Sequence, residues 1–314
     1  MAEIPWPGPP LVCPACREGA IAHNLDPALR CPACGEQYGS LEGTTIPRVL
    51  APAAREAAQR LDAPGPLRPP GALGPWLRSV TPGSAAFGPL ARAAIFLRAM
   101  AEGREEPFYT DLCDQLLPDL PGEALGIDLG CGAGNLAFEL ARRTRATIVG
   151  LDLDAHLLRW AGRAAAAESF EAPVRLDAGR FAAATLHIRH SFDSARLRLL
   201  CANLLDPPFA PATFDFVALV NVLDSVAHPA AALRQAIALL KPGGHLLFAS
   251  PDSWNGATTP VKRWLATTEA GWDRVFERAG LETLRRTDDL EWRLQDTPRL
   301  HHLYRVHARL LRKS

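Results

Sequence analysis

The chain has 314 residues, 48% of them apolar, and 34 basic against 34 acidic side chains give a formal net charge of zero. That length exceeds one average domain and supplies a sizeable core, while the balanced charge gives no whole-chain drive toward nucleic acid or an anionic membrane surface. No run of 18 apolar residues occurs, so no membrane span is expected. Residues 1–10 lack the charged-then-apolar pattern of a secretory signal, so a cytoplasmic, reducing location is expected, with the seven cysteines not paired as disulfides.

The first tenth of the chain holds Cys13-Pro14-Ala15-Cys16 and Cys31-Pro32-Ala33-Cys34-Gly35, two knuckles separated by 14 residues. Four thiolates at this spacing suit tetrahedral Zn2+, and four protein ligands leave no open coordination position, so the metal is expected to be structural. Cys113, Cys131 and Cys201 are scattered and read as buried small hydrophobes. Residues 51–60 predict a short helix, 62–83 are rich in Pro and Gly and read as a linker, and 84–101 and 105–117 have helical periodicity.

From about residue 121 strands and helices alternate, which predicts an α/β domain. Strands are expected at 124–128, 147–151, 198–202, 215–220 and 245–250, with helices near 134–143, 154–167 and 229–240. Lys241-Pro242-Gly243-Gly244 should end the last of these helices and turn into the fifth strand. The stretch 169–195 is too long for a connection. Its Val174, Leu176, Leu186 and Ile188, around Asp177-Ala178-Gly179, suggest a hairpin insertion. Residues 281–287 and 303–310 can form a last antiparallel pair. The expected organisation is a zinc ribbon over 1–50, a linker with helices over 51–120, and a domain over 121–314. The domain is expected to be a doubly wound, mostly parallel, seven-stranded Rossmann-like sheet. No internal repeat is found.

The chemistry centres on Leu125-Gly126-Ile127-Asp128-Leu129-Gly130-Cys131-Gly132-Ala133-Gly134. A strand, a glycine turn and a helix opening follow one another. A dinucleotide site brings pyrophosphate to such a turn and seldom wants a carboxylate there; Asp128 suits a ligand with a positive end, such as S-adenosylmethionine. Asp152 ends the second strand, 24 residues later, where a carboxylate can accept two ribose hydroxyls. Asp154 is the better candidate for the following N-cap.

The ordered set of Asp128, the glycines, Asp152 and Lys241-Pro242-Gly243-Gly244 resembles class I S-adenosylmethionine-dependent methyltransferases over roughly 121–255. The resemblance implies that Gly130, Cys131 and Gly132 pass close to the methionine and ribose, with Gly134 opening the helix. It implies that Asp128 helps hold the methionine amino group and that Asp152, with Leu153 beside it, binds the ribose. Asn203 and Leu204 would flank the adenine, Asn203 accepting from its amino group, and Asn221 would line the sulfonium side. Asp206-Pro207-Pro208-Phe209 is similar to the Asp/Asn-Pro-Pro-Tyr/Phe motif of enzymes that methylate amide or base nitrogens. It precedes the fourth strand rather than following it, and so reads as a turn beside the adenine.

The cysteine knuckles, with Gln37-Tyr38-Gly39 and Gly43-Thr44-Thr45-Ile46-Pro47, resemble the zinc-ribbon activator subunit of tRNA and translation-factor methyltransferases. That resemblance implies support of a catalytic unit, here in cis, or contact with a protein partner.

On the acceptor side, Asn221-Val222-Leu223-Asp224-Ser225-Val226, Ser250-Pro251-Asp252-Ser253-Trp254, Thr259-Pro260 and Trp264-Leu265 resemble the methyltransferase domain of ovothiol synthases. So does the ending with Trp292 and Tyr304-Arg305-Val306-His307. Asp252 stands where that family has Tyr, so the resemblance implies a small-molecule, modified amino-acid or peptide acceptor, methylated on nitrogen, rather than one named compound. Methyl transfer needs alignment of nucleophile and sulfonium, and a base only when the acceptor carries a proton. Asp224 is the first candidate base; His228, His301, His302 and His307 are others. Trp254, Trp264 and Trp292 could wall a planar acceptor, with His301 and Tyr304 nearby. Two competing readings are an rRNA or tRNA methyltransferase that binds RNA through its ribbon, which the neutral charge opposes, and a non-catalytic partner protein, which the intact acidic residues oppose.

Overall fold

A computed structural model of the chain describes residue 6 and residues 8–21, 29–42, 44–61, 73–100, 107–188 and 193–314. In chain order the elements are β1 (Leu11–Val12), β2 (Ala20–Ile21), β3 (Leu29–Arg30), β4 (Gln37–Ser40), β5 (Pro47–Arg48), α1 (Pro52–Leu61), α2 (Leu73–Ser79), α3 (Phe87–Ala99) and α4 (Phe108–Leu116). There follow β6 (Leu125–Leu129), α5 (Asn135–Arg143), β7 (Thr147–Asp152), α6 (Ala155–Ala166), β8 (Ser169–Arg175), β9 (Phe181–His187), β10 (Leu197–Cys201), β11 (Phe214–Val220), α7 (Pro229–Leu239), β12 (Leu240–Ser250), α8 (Glu269–Arg278), β13 (Leu281–Thr297) and β14 (Leu300–Lys313).

Helices and strands fall where the periodicity puts them, with two differences. Part of the expected linker, 62–72, lies outside the described residues, but α2 is a helix within it. Leu73, Leu77 and Val80 are buried at helical spacing, and Pro75 sits in the first turn, where a missing N–H costs nothing. The Lys241–Gly244 turn lies inside a strand. β12 starts at Leu240 opposite Phe214, and its register then jumps so that His245 faces Phe216. The extra residues bulge around Gly243, whose φ is +75°, and Lys241 reaches Asp215 at 2.8 Å.

The sheet holds seven strands from residues 121–314 and three more, β3 to β5, from the N-terminal segment. It has ten, in the order β13-β14-β12-β11-β6-β7-β10-β5-β4-β3. The centre, β12 to β10, is parallel, and β14 and β13 close one edge as an antiparallel pair. At the other edge β5 runs parallel to β10, with Arg48 opposite Cys201 and Val49 N donating to Cys201 O at 2.8 Å. The N-terminal segment thus extends the sheet. The expected insertion is the separate antiparallel hairpin β8–β9.

One sheet face packs against α3 to α6 and the β8–β9 hairpin. The other carries α7 and α8, and it shows why the N-terminal segment sits where it does. The connection from β10 to β11 passes over two strands, and residues 202–213 contain no helix. Trp6, Leu11, Ile21, Leu29, Tyr38 and Val49 join the cluster of Leu200, Ala202, Phe209 and Phe214 on this face. The N-terminal segment therefore supplies cover that a crossover helix gives in a doubly wound sheet.

Candidate functional site

Three glycines at alternate positions carry the chain from β6 into α5, each with positive φ: Gly130 at 82°, Gly132 at 56° and Gly134 at 93°. Only glycine adopts such angles freely. A Cβ at Gly130 would lie 2.6 Å from Val222 Cγ2, whereas at Gly134 the near neighbour is Phe138 at 3.1 Å. Gly134 therefore serves the helix start as much as any ligand. The N–H groups of Gly130 and Cys131 both donate to Leu151 O, at 2.7 and 3.0 Å, which holds the turn against the end of β7.

Asp152, at that end, spends one oxygen on Gly132 N (2.7 Å) and the other on Asp154 N (2.8 Å). Its side chain thus bridges the glycine turn and the loop beginning with Leu153. Burial raises its pKa to about 6 against those two N–H groups. Asp154 is the N-cap of α6, accepting from His156 N and Leu157 N, and it pairs with Arg92 of α3 at 2.9 Å. Asn135 Nδ2 donates to Phe96 O at 3.1 Å, so α3 is tied to the starts of both α5 and α6. No motif marked Arg92; it is one arginine in a helix of an arginine-rich chain.

Asp128 is 2% exposed and its Oδ2 has no hydrogen-bond partner. Burial, then the neighbouring Asp152 charge, raises its pKa to about 7. An acid in this state is suited to a cationic ligand. Asn221, at the end of β11, has φ of +54°, and both polar atoms of its amide are buried without partners. Asn203 differs from expectation in one respect: its side-chain oxygen accepts from Leu205 N at 3.0 Å, which leaves one lone pair and the NH2 for a ligand. Leu204 is partly buried on the face covered by the N-terminal segment.

The sulfurs of Cys13, Cys16, Cys31 and Cys34 all lie within 4.8 Å of one another. Cys13–Cys34 and Cys16–Cys31 are each 3.7 Å apart. That is far beyond a disulfide length and close to the ~3.8 Å edge of a tetrahedron with ~2.3 Å metal–sulfur bonds. The knuckles match one another: Arg17 N donates to Cys13 O and Gly35 N to Cys31 O, with Arg17 and Gly35 both at positive φ. A Cβ on Gly19 would sit 2.4 Å from Cys31 Sγ, so the cradle closes tightly around the cluster. The donor set fits zinc.

The first knuckle rests on Asp206-Pro207-Pro208. Arg17 pairs with Asp206 and donates to Pro207 O at 3.1 Å, while Val12 N donates to Pro208 O at 2.9 Å. Both proline carbonyls are thereby spent, and the segment is a platform for the cysteine knuckle.

The aromatic candidates divide between the two sheet faces. Trp254 stacks on Trp264 (5.8 Å) and on Trp272 (6.4 Å), and its N–H is taken by Ala266 O, that of Trp264 by Thr259 O. This is a packed column on the α8 side rather than an acceptor wall. Trp292 instead lies opposite Tyr304 across β13 and β14, on the α3/α4 side with Phe108, at ring distances of 5.2 and 5.7 Å. His301 and His302 are exposed near the hairpin tip and His228 is exposed before α7.

Asp224, buried and with its pKa raised by that burial, accepts from Ser253 N at 3.1 Å and from the Ser225 hydroxyl at 3.3 Å; it anchors the loop after β12. His307 pairs with Ser250 in the sheet. Arg309 Nη1 faces its Nδ1 at 3.0 Å, and because Arg only donates, the ring proton sits on Nε2, 3.2 Å from Asp252. A contact without sequence signal is the two-pronged pair of Arg175 with Asp296, at 2.8 and 2.6 Å, which fastens the β8–β9 hairpin to the β13–β14 hairpin.

Residues 100–304, about two thirds of the chain, match the family model described as a methyltransferase domain. The "Ubiquinone biosynthesis O-methyltransferase" of Ralstonia nicotianae is 33% identical over 124 residues, covering 40% of this chain and 42% of that protein. Its namesake in Alkalilimnicola ehrlichii is 27% identical over 191 residues, covering 59% and 67%. The chain thus spans less than half the length of the first relative. A solved S-adenosylmethionine-dependent methyltransferase from Methanosarcina mazei has 18% identity, a TM-score of 0.44, and coverage of 62% of this chain and 94% of its own. Among the described residues no helix is long and apolar enough to cross a membrane. With the glycine turn, the two acids and the parallel sheet in place, the chain belongs to the methyltransferase-domain family.

Proposed function

We propose that this chain transfers the methyl group of S-adenosylmethionine to a small-molecule, modified amino-acid or peptide acceptor, with zinc in a structural role only. The observation that carries the reading is Asp128: a buried carboxylate oxygen with no partner, beside a glycine turn that Asp152 braces. In this reading Asp128 faces the cofactor's amino group, Asp152 and Leu153 the ribose, Asn203 and Leu204 the adenine, and Asn221 the sulfonium. Gly130, Cys131 and Gly132 let the backbone approach closely, and Gly134 opens α5.

The cofactor, when bound, supplies a methyl carbon activated toward displacement. The residues then have to hold the acceptor in line and exclude water. Asp224 is better suited to positioning the loop over the acceptor than to removing a proton, because its carboxylate is already engaged. The division into a ribbon (1–50), a linker with helices (51–120) and a catalytic unit (121–314) belongs to the same reading, with residues 1–50 supporting the cofactor loop at 203–209. Nitrogen is the acceptor atom that the acceptor-side motifs favour; oxygen is the second reading, favoured by the similarity to the ubiquinone biosynthesis O-methyltransferases. The methyl carbon shift of a labelled product separates the two.

Calorimetry with S-adenosylhomocysteine tests the core of the proposal. Asp152→Ala removes two charge-assisted hydrogen bonds to the ribose and should weaken binding about 100-fold. Unchanged affinity in a folded variant would remove Asp152 from the site.

A further inference from the structure

We infer that the first cysteine knuckle tunes the cofactor site: Val12 and Arg17 hold the loop 202–209 in the shape that receives the adenine, so metal binding and S-adenosylmethionine binding strengthen one another. The inference rests on the cofactor and zinc readings above and makes Arg17 a positioning residue.

The loop has few bonds of its own. It carries Asn203 and Leu204, and inside it Leu205 N donates to Asn203 Oδ1 at 3.0 Å, Asp206 N to Asn203 O at 2.9 Å and Phe209 N to Pro207 O at 2.9 Å. Pro207 and Pro208 lack an N–H, and the N–H of Asp206 is already spent. Residues 206–208 therefore offer their surroundings only carbonyls and the Asp206 carboxylate. The N-terminal segment takes these up. Arg17 pairs with Asp206 and donates to Pro207 O at 3.1 Å, and Val12 N donates to Pro208 O at 2.9 Å. At the start of the loop Val49 N donates to Cys201 O at 2.8 Å, while Ala202 N donates to Asp152 O at 3.0 Å. One end of the loop thus abuts Asp152 of the cofactor site, and both ends are gripped from the N-terminal segment.

The cysteine cluster decides whether the grip holds. Val12 and Arg17 are the immediate chain neighbours of Cys13 and Cys16. Strands β1 and β2 are two residues each, too short to fix the knuckle without a cross-link, and a segment of this size needs metal to fold. Tyr38 carries the same link inward. Its hydroxyl lies 3.1 Å from Cys13 Sγ, and its ring is buried in the apolar cluster that holds Phe209. Loss of the metal frees Val12 and Arg17 together. The loop then spreads over other conformations, and a ligand that needs the native shape binds more weakly by the fraction of time that shape is lost. Coupling of this kind is reciprocal, so the cofactor tightens metal binding by the same factor.

The test measures zinc affinity of the full chain by equilibrium competition with a colorimetric chelator, with and without saturating S-adenosylhomocysteine. S-adenosylhomocysteine should tighten zinc binding in the wild type. That gain should shrink about threefold in Arg17→Ala and in Asp206→Ala, the size expected of a partly exposed ion pair, with no further loss in the double variant. Alanine keeps the Cβ at position 17, so the backbone preference of the knuckle is unchanged. Calorimetry on the zinc-loaded proteins reads the same coupling from the other side: Arg17→Ala should bind S-adenosylhomocysteine and methylthioadenosine each about threefold more weakly, because both carry the adenosine end. A support that only stabilises the fold would lower the unfolding midpoint and leave both affinities and the zinc gain equal in wild type and variant; that result overturns the inference. So does a wild type that binds both ligands with no effect of either on the other. A wild type that binds zinc but not S-adenosylhomocysteine overturns the cofactor reading and the inference with it, and one that binds S-adenosylhomocysteine but not zinc does the same to the zinc reading.

Discussion

Asp128→Asn should stabilise the cofactor-free protein in alkaline solution while damaging cofactor binding. The folded-state pKa of Asp128 is raised from 3.8 to about 7. Between those values the native state holds a proton that the unfolded state has lost, so the native state binds more protons and stability falls as pH rises. At ~1.36 kcal/mol per pKa unit, the raised pKa costs at most about 4 kcal/mol at pH 8, where the buried group is ionised, and about 1.6 kcal/mol at pH 5, where it holds a proton that the unfolded state has lost. Urea unfolding of both proteins at the two pH values isolates this contribution together with its coupling to Asp152, because groups remote from Asp128 titrate alike in each. Asp128→Asn should gain about 2–3 kcal/mol on the wild type between pH 5 and pH 8. A ligand with a positive group beside Asp128 lowers its pKa, so cofactor binding near pH 7 should release protons from the wild type. Calorimetry in buffers of different ionisation enthalpy measures that release. Parallel stability profiles, or no difference in proton release between the two proteins, would refute the account.

The other predictions concern the supports of the site. Metal analysis of protein purified without chelator should find one zinc per chain, and stripping it should bare apolar sheet surface, read as increased binding of a hydrophobic dye; a metal-free protein that unfolds as cooperatively as the native one sinks the structural role. Asp296→Asn leaves the largely buried Arg175 guanidinium short of its carboxylate and should cost about 3 kcal/mol in urea unfolding. Arg17→Ala removes a pair that is a third or more exposed on both sides, so it should cost less than about 1 kcal/mol. Equal losses in these two variants would contradict the burial argument.

The cofactor side was legible because its chemistry lies in short motifs. The glycine run, the acids ending two successive strands, and the cysteine pairs are all local, and each falls at a strand end or knuckle as its spacing requires. Asp154 was likewise readable as an N-cap. The acceptor side depends on long-range placement. Trp254 and Trp292 look equivalent in sequence, but strand parity sends Trp292 to one sheet face, while the loop after β12 folds Trp254 onto the other. Arg175 and Asp296 are 121 positions apart, and neither stands in a motif. That the N-terminal segment extends the sheet is not legible in the sequence, because β5 is two residues long, too short to show alternation, and takes its strand character from β10.

The edge pairing of Arg48 with Cys201 has a consequence for synthesis of the chain. The four cysteines leave the ribosome before the strand that β5 joins, whose Cys201 stands 153 positions after Arg48. Contacts of such separation form late. Metal capture can therefore precede assembly of the sheet, leaving the cysteine knot as a preformed template that waits for its acceptor strand. On the structural-zinc reading proposed above, supply of metal during translation then governs how much chain reaches the native state.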